Sequence, residues 1–179
     1  MPKVKEVAAT MIDADTLWKR VGHFGSIARW HPQVSSMTVS DEPAGQVRLL
    51  HLKTGSEQLE RLQVVDAAHR MYRYRVERAS SPVRDYIGEF RIEAADTQVS
   101  RIVWEANFTL ADEHDDRTVA AVRCFLHEGV ASIERKYRPF ARLEPDGVDT
   151  GIADADKKAR TAAPKIVGGA DVYVTVGEF

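Results

Sequence analysis

The 179-residue chain has little cysteine: Cys124 stands alone. One thiol excludes an internal disulfide framework and a Cys-rich zinc site. It fits a reducing compartment without requiring one. Charge of one sign is also missing, since 25 Lys and Arg face 27 Asp and Glu for a net of −2. No broad basic field exists to hold a phosphate backbone, so no nucleic-acid partner is expected. No apolar run approaches the roughly 18 residues of a membrane span. The opening Met1-Pro2-Lys3-Val4-Lys5-Glu6 has no apolar signal core, and the expected location is cytoplasmic. Gly-rich phosphate loops, paired-carboxylate motifs and a nucleophile-elbow serine are lacking. The six histidines, at 23, 31, 51, 69, 114 and 127, form no metal-ligand spacing with a Cys or carboxylate. Neither a metal nor a cofactor is expected.

What is present is ordinary globular material, 44% apolar and 29% charged. The length suits one domain with a short appendage, burying roughly 70% of its unfolded surface. Residues 4–10 alternate as a first strand. Asp13 or Asp15 is placed to cap a short helix over Thr16–Val21, with Leu17, Trp18 and Val21 on one side. A second short helix, Ser26–Trp30, is stopped by Pro32. Six segments rich in β-branched and aromatic residues follow: Val34–Ser40, Gln46–Lys53, Glu57–Asp66, Arg70–Arg78, Asp85–Ala94 and Val99–Leu110. The short breaks between them carry Gly, Pro, Asp and Ser, which implies an antiparallel meander.

Alternation assigns the faces. Tyr72, Tyr74 and Val76 alternate with Arg73, Arg75 and Glu77. Tyr86, Gly88, Phe90 and Ile92 alternate with Ile87, Glu89, Arg91 and Glu93. Trp104, Ala106, Phe108 and Leu110 alternate with Val103, Glu105, Asn107 and Thr109. One face is therefore covered and the other meets water. The cover is read from Val119, Val122, Leu126, Val130, Ile133, Tyr137 and Phe140, whose steps of three and four mark an amphipathic helix over 118–142. At 1.5 Å per residue it is about 37 Å long, enough to cross the concave face of a curled sheet. Gly129 within it marks a bend or a close backbone approach. The chain thus divides into a domain over 1–142 and an extension over 143–179. The extension is rich in Gly and Asp and ends in the strand-like run Asp171–Val176. Such a run calls for a sheet edge, its own or a partner's, and a swapped tail would make a homodimer.

A strand, two short helices, a six-strand meander and a long C-terminal helix make the α+β helix-grip arrangement. The corner Gly22-His23-Phe24-Gly25-Ser26-Ile27-Ala28-Arg29-Trp30-His31-Pro32, with Trp18 before it, resembles that of the START/Bet-v-like (SRPBCC) superfamily. Within it, the chain most resembles the polyketide cyclase/dehydrase and lipid-transport group. Glu60-Arg61-Leu62 with Asp66, Tyr72-x-Tyr74, Pro82-Val83-x-Asp85-Tyr86, and Trp104 with Phe108 extend the likeness over residues 4–141. The resemblance implies an apolar cavity between sheet and long helix, open to a small hydrophobic molecule. The superfamily contains cyclases, dehydratases, receptors and carriers, so the fold leaves the activity open.

Within that frame Glu60 shares a face with Leu62 and Val64. The plant abscisic-acid receptors of the superfamily have a similar Glu-Arg-Leu strand whose Glu lines the ligand cavity. A three-residue loop, Thr54-Gly55-Ser56, pairs Leu50 with Glu60 and sets Arg48 diagonally beside it. A two-residue Thr54-Gly55 turn brings Leu59 and Arg61 inward instead. An enclosed carboxylate near a guanidinium suits orienting a polar ligand or general-base work. If the protein is an enzyme, of cyclase/dehydratase type, Glu60 is the expected proton-transfer group, aided by His31 at the cavity mouth or by Tyr86. The expected ligand wall is Met37, Arg48, Leu50, Leu62, Tyr74, Phe90, Trp104, Phe108 and Leu126. The alternative is a non-catalytic carrier for a hydrophobic metabolite. Cys124, with no charged motif near it, is expected to be inert.

Overall fold

The computed structural model describes residues 1–112 and 115–138. Seven strands form one antiparallel sheet: β1 (Lys3–Thr10), β2 (Val34–Glu42), β3 (Gly45–Leu52), β4 (Glu57–Asp66), β5 (Met71–Arg78), β6 (Val83–Asp96) and β7 (Val99–Leu110). The order is β1-β7-β6-β5-β4-β3-β2, so the meander closes back on the first strand. Between β1 and β2 lie helix α1 (Ala14–Val21) and a short 3-10 helix (Phe24–Arg29). Helix α2 (Asp116–Tyr137) follows β7. The extension and its strand-like run lie outside the described residues.

The local chemistry accounts for the element ends. The Asp13 carboxylate accepts from the Thr16 amide at 2.8 Å and caps α1. Asp115 does the same for α2 through Thr118 N–H at 3.0 Å. Helix α2 ends at Tyr137, five residues short of the expected 142, and Arg138 is already extended. The second helix is tighter and earlier than its sequence pattern suggests. Ser26 Oγ donates to carbonyls of Val21 and His23 and accepts from Trp30 Nε1, which winds this corner as 3-10.

The inner face carries Tyr72, Tyr74, Tyr86, Phe90, Ile92, Trp104, Ala106 and Phe108, all buried, as the alternation predicts. Its cover is divided among three elements. Helix α2 lies against β1 and β7, setting Val122, Leu126, Val130 and Ile133 in the core. The rest is closed by α1 and the 3-10 segment. Phe24 meets Tyr72 edge-on, and Trp30 stacks on Phe90. The outer face is an ion-pair lattice. Glu105 holds Lys3, Lys5 and Arg91; Arg91 reaches Glu89 and Glu93; Arg61 ties Glu42 to Glu77.

Candidate functional site: a buried ion pair behind an uncharged pocket

The β3–β4 hairpin determines what Glu60 does. Its loop is three residues long, as expected, but displaced by one: His51 pairs with Glu57, leaving Lys53-Thr54-Gly55 in the turn after Leu52 N–H bonds Ser56 C=O. Gly55 has φ +85°, the left-handed conformation such a loop requires. Leu50 therefore faces Gln58 rather than Glu60, and Arg48 sits directly opposite Glu60. The shift is by two residues, so the inward face is kept and the two-residue alternative is excluded.

Arg48 and Glu60 form an ion pair with both side chains 0% exposed. Arg48 Nε donates to Glu60 Oε2 and Nη1 to the Phe24 carbonyl. The guanidinium lies over Phe24, 4.1 Å from its centroid, with Tyr74 at 5.2 Å. Burial alone would lower the Arg48 pKa. The Glu60 charge and the tyrosines outweigh it and hold the group above its ordinary value. Gln58 Nε2 donates to the other carboxylate oxygen, Oε1, at 2.6 Å. Arg48 Nη2 and the Tyr72 hydroxyl are buried next to each other without a well-formed hydrogen bond; burial raises the Tyr72 pKa and the neighbouring guanidinium opposes that rise.

His31 is equally closed in. Nδ1 accepts from Gln33 N–H at 3.1 Å and Nε2 lies 3.0 Å from the Phe125 carbonyl. That pairing leaves Nε2 as the donor and the ring neutral. Its ring stacks on Phe125, with centroids 4.0 Å apart, and meets Trp104 edge-on. Burial drives its pKa down to about 4, against the opposing pull of the Phe125 carbonyl and the Glu128 charge.

The cavity lies one layer outside this core. A pocket of about 220 Å³ opens between the β3–β4 turn, the β5–β6 turn and the N-terminal half of α2. Its walls are Gln33, Leu52, Thr54, Ser56, Gln58, Val76, Ala79, Ser81, Val83, Tyr86, Ala121, Val122 and Phe125. Of the residues expected to form a site, Tyr86 alone is among them. Leu50, Tyr74, Phe90, Trp104, Phe108 and Leu126 pack on one another as core, with Met37 half-buried at its margin. Trp104 Nε1 donates to the Tyr74 hydroxyl at 3.1 Å. Leu62 borders a different hollow, of about 380 Å³, with Trp18, Phe24 and Val65 at the α1 corner. Alternation identifies the inner face, and its aromatic rings pack on one another there.

Three of the wall residues that were not foreseen bear on the site. Gln58 had a signal, because it stands two residues before Glu60 and shares its face. Phe125 precedes Leu126 and falls off the main apolar stripe of α2. Gln33 had none beyond following the Trp30-His31-Pro32 corner. Its Nε2 reaches Cys124 Sγ at 3.9 Å and also hydrogen-bonds Glu128. Cys124 is exposed, and its hydrogen bond to Glu128 raises the thiol pKa, the reverse of what a nucleophile needs. No group of three or more metal-ligating side chains exists among the described residues. No helix among them is long and apolar enough to cross a membrane.

The model of a family described as polyketide cyclase / dehydrase and lipid transport matches residues 1–138. A comparison with curated proteins returned no match. Among solved structures, an uncharacterized protein from Bacillus thuringiensis is 21% identical, with a TM-score of 0.71 over 76% of this chain and 98% of that one. The Zhui aromatase/cyclase from Streptomyces sp. R1128 is 19% identical, with a TM-score of 0.65 over 76% of this chain and 93% of that one. A START superfamily protein from Mycobacterium smegmatis is 10% identical, with a TM-score of 0.62 over 75% and 96%. At these identities the likeness is one of fold.

Proposed function

The chain belongs to the polyketide cyclase/dehydrase and lipid transport family, and from that premise we propose that it binds a small, uncharged, largely apolar molecule in the pocket against α2. One observation carries this reading: none of the thirteen wall residues is Asp, Glu, Lys, Arg or His. Apolar side chains supply area, and a few neutral polar groups orient the ligand. At about 220 Å³ the pocket lies below the roughly 300–1,000 Å³ of drug-sized sites, which favours a ligand of one or two rings. Tyr86 is the one ionisable wall residue, and burial pushes its hydroxyl pKa upward. A group that far from neutral pH is a poor proton carrier. Binding or carriage therefore stands ahead of catalysis.

A second reading, cyclase/dehydratase-type catalysis by Glu60, His31 and Tyr86, draws on one contact. Gln58 borders the pocket and touches Glu60, so the carboxylate stands one side chain behind the wall. Once a substrate is in hand, Glu60→Gln is expected to cost about 10²–10⁴-fold in turnover under this reading. Wild-type turnover in folded Glu60→Gln protein would end it.

The binding reading is tested with a neutral naphthalene-type fluorophore. It should bind with a stoichiometry of one. Ala121→Trp, at an exposed wall position on α2, should weaken binding at least about tenfold, the loss of roughly 1.4 kcal/mol. Unchanged affinity in that variant would move the site elsewhere. Native mass spectrometry of the purified chain would identify a co-purifying molecule.

A further inference from the structure

We propose that Gln58 presents a fixed acceptor to the pocket, so that the site selects neutral molecules carrying a hydroxyl or N–H donor at that wall. The inference rests on the pocket being the binding site. A glutamine amide has a donor end and an acceptor end, and normally either can face a ligand. Here the choice is made from behind. Gln58 Nε2 lies 2.6 Å from Glu60 Oε1, while Glu60 Oε2 receives the Arg48 guanidinium. Paired with a guanidinium, both Glu60 oxygens accept. Turning the Gln58 amide over would set two acceptors face to face in a partly buried setting, on a carboxylate that is itself fully buried, an unfavourable arrangement. The NH₂ group is thus held against Glu60, and the carbonyl oxygen is left on the side of the wall.

Gln33, also on the wall, has the same bias, since its Nε2 is directed to Cys124 and Glu128. The remaining polar wall groups are the hydroxyls of Thr54, Ser56, Ser81 and Tyr86. A hydroxyl rotates to donate or accept and so discriminates little. Direction enters the pocket through the glutamines. A ligand hydroxyl would replace water on the Gln58 carbonyl without loss. An ether oxygen in its place would remove that water and leave two acceptors opposed.

Three probes of one shape test this: naphthalene, 2-naphthol and 2-methoxynaphthalene, titrated into the full chain. Wild-type protein should bind 2-naphthol about tenfold more tightly than 2-methoxynaphthalene, a difference of about 1.4 kcal/mol. Gln58→Met should bring those two dissociation constants within about threefold of each other. Equal binding of the two in wild type, with both blocked by Ala121→Trp, would overturn the role of Gln58 and leave the pocket intact. Failure of all three probes to bind, or binding insensitive to Ala121→Trp, would overturn the pocket and this inference with it. Should Gln58→Met not fold, the wild-type side-chain amide resonances decide. A slowly exchanging Gln58 NH₂ pair supports the pinned amide, and exchange as fast as that of an exposed glutamine overturns it.

Discussion

At the scale of single residues, the Arg48–Glu60 pair is the most consequential feature of the interior. A buried ion pair adds little net stability, yet breaking one strands a charge. Arg48→Met or Glu60→Leu alone is expected to cost about 3–5 kcal/mol in urea unfolding, while the double variant regains most of it. Additive losses in the double variant would show that the two are not coupled. His31 carries a pH signature. Its pKa falls from about 6.5 unfolded to about 4 folded, so the unfolded chain binds the extra proton between those values. Stability from this group is complete above pH 6.5 and is lost as the pH falls toward 4, by up to about 1.4 kcal/mol per pH unit. The groups around it are Arg48, which opposes protonation, and Glu128, which favours it. His31→Gln should flatten the unfolding free energy between pH 6.5 and 5; an unchanged slope would assign the titration elsewhere.

At the scale of elements, glycine governs how closely α2 meets the sheet. A Cβ on Gly129 would stand 2.5 Å from Trp104 Cζ3 and 2.8 Å from His31 Cδ2. Of the two roles open to Gly129 in the sequence, bend or close approach, the structure shows the second. Gly129→Ala would gain up to about 1 kcal/mol of helix propensity, but overpacking against two rigid rings costs about 1–3 kcal/mol. A lower melting temperature is expected, and a higher one would mean that α2 shifts freely. Gly88 does the same for β6, where a Cβ would lie 2.2 Å from Tyr74 Cζ. Strand β6 also bends at its start: Asp85 has φ +50°, and the register with β7 shifts between Arg84 and Ile87. This bulge starts the strand two residues before its expected beginning and still turns Tyr86 inward.

At the scale of the whole molecule, the two faces of the sheet divide the physics. The inner face is closed by aromatic packing, each buried side chain contributing about 1.5–3 kcal/mol. The outer face is held by charge, with Glu105 at its centre. Partial burial would raise the Glu105 pKa, but hydrogen bonds from Lys3, Lys5 and Arg91 bring it down to about 2. A carboxylate depressed in this way stabilises the fold above its unfolded value near 4.5, and that contribution is lost as the pH falls toward 2. Glu105→Gln should therefore lower stability at pH 7 and reduce its acid dependence between pH 4.5 and 2, measured by chemical denaturation. The same acid slope in variant and wild type would locate the loss in other carboxylates.

Much of this was legible in the chain itself. Period-two alternation marked the strands and the buried side of β5, β6 and β7, because that pattern is local; in β4 a bulge between Leu62 and Val64 leaves Val64 exposed, against its expected place beside Glu60. Asp13 and the Gly55 turn are local chemistry of the same kind. The sequence left two hairpin registers of opposite parity open, and the observed pairing selects the one that turns Glu60 inward. Tertiary structure alone decided that Arg48 is its direct partner, that His31 is locked neutral between Gln33 and Phe125, and that the large inner-face side chains make a core. A cavity wall and a core have the same sequence pattern. They differ in how far the sheet curls and how closely α2 approaches it, and those distances are set by contacts between residues as far apart in the chain as His31, Trp104 and Gly129.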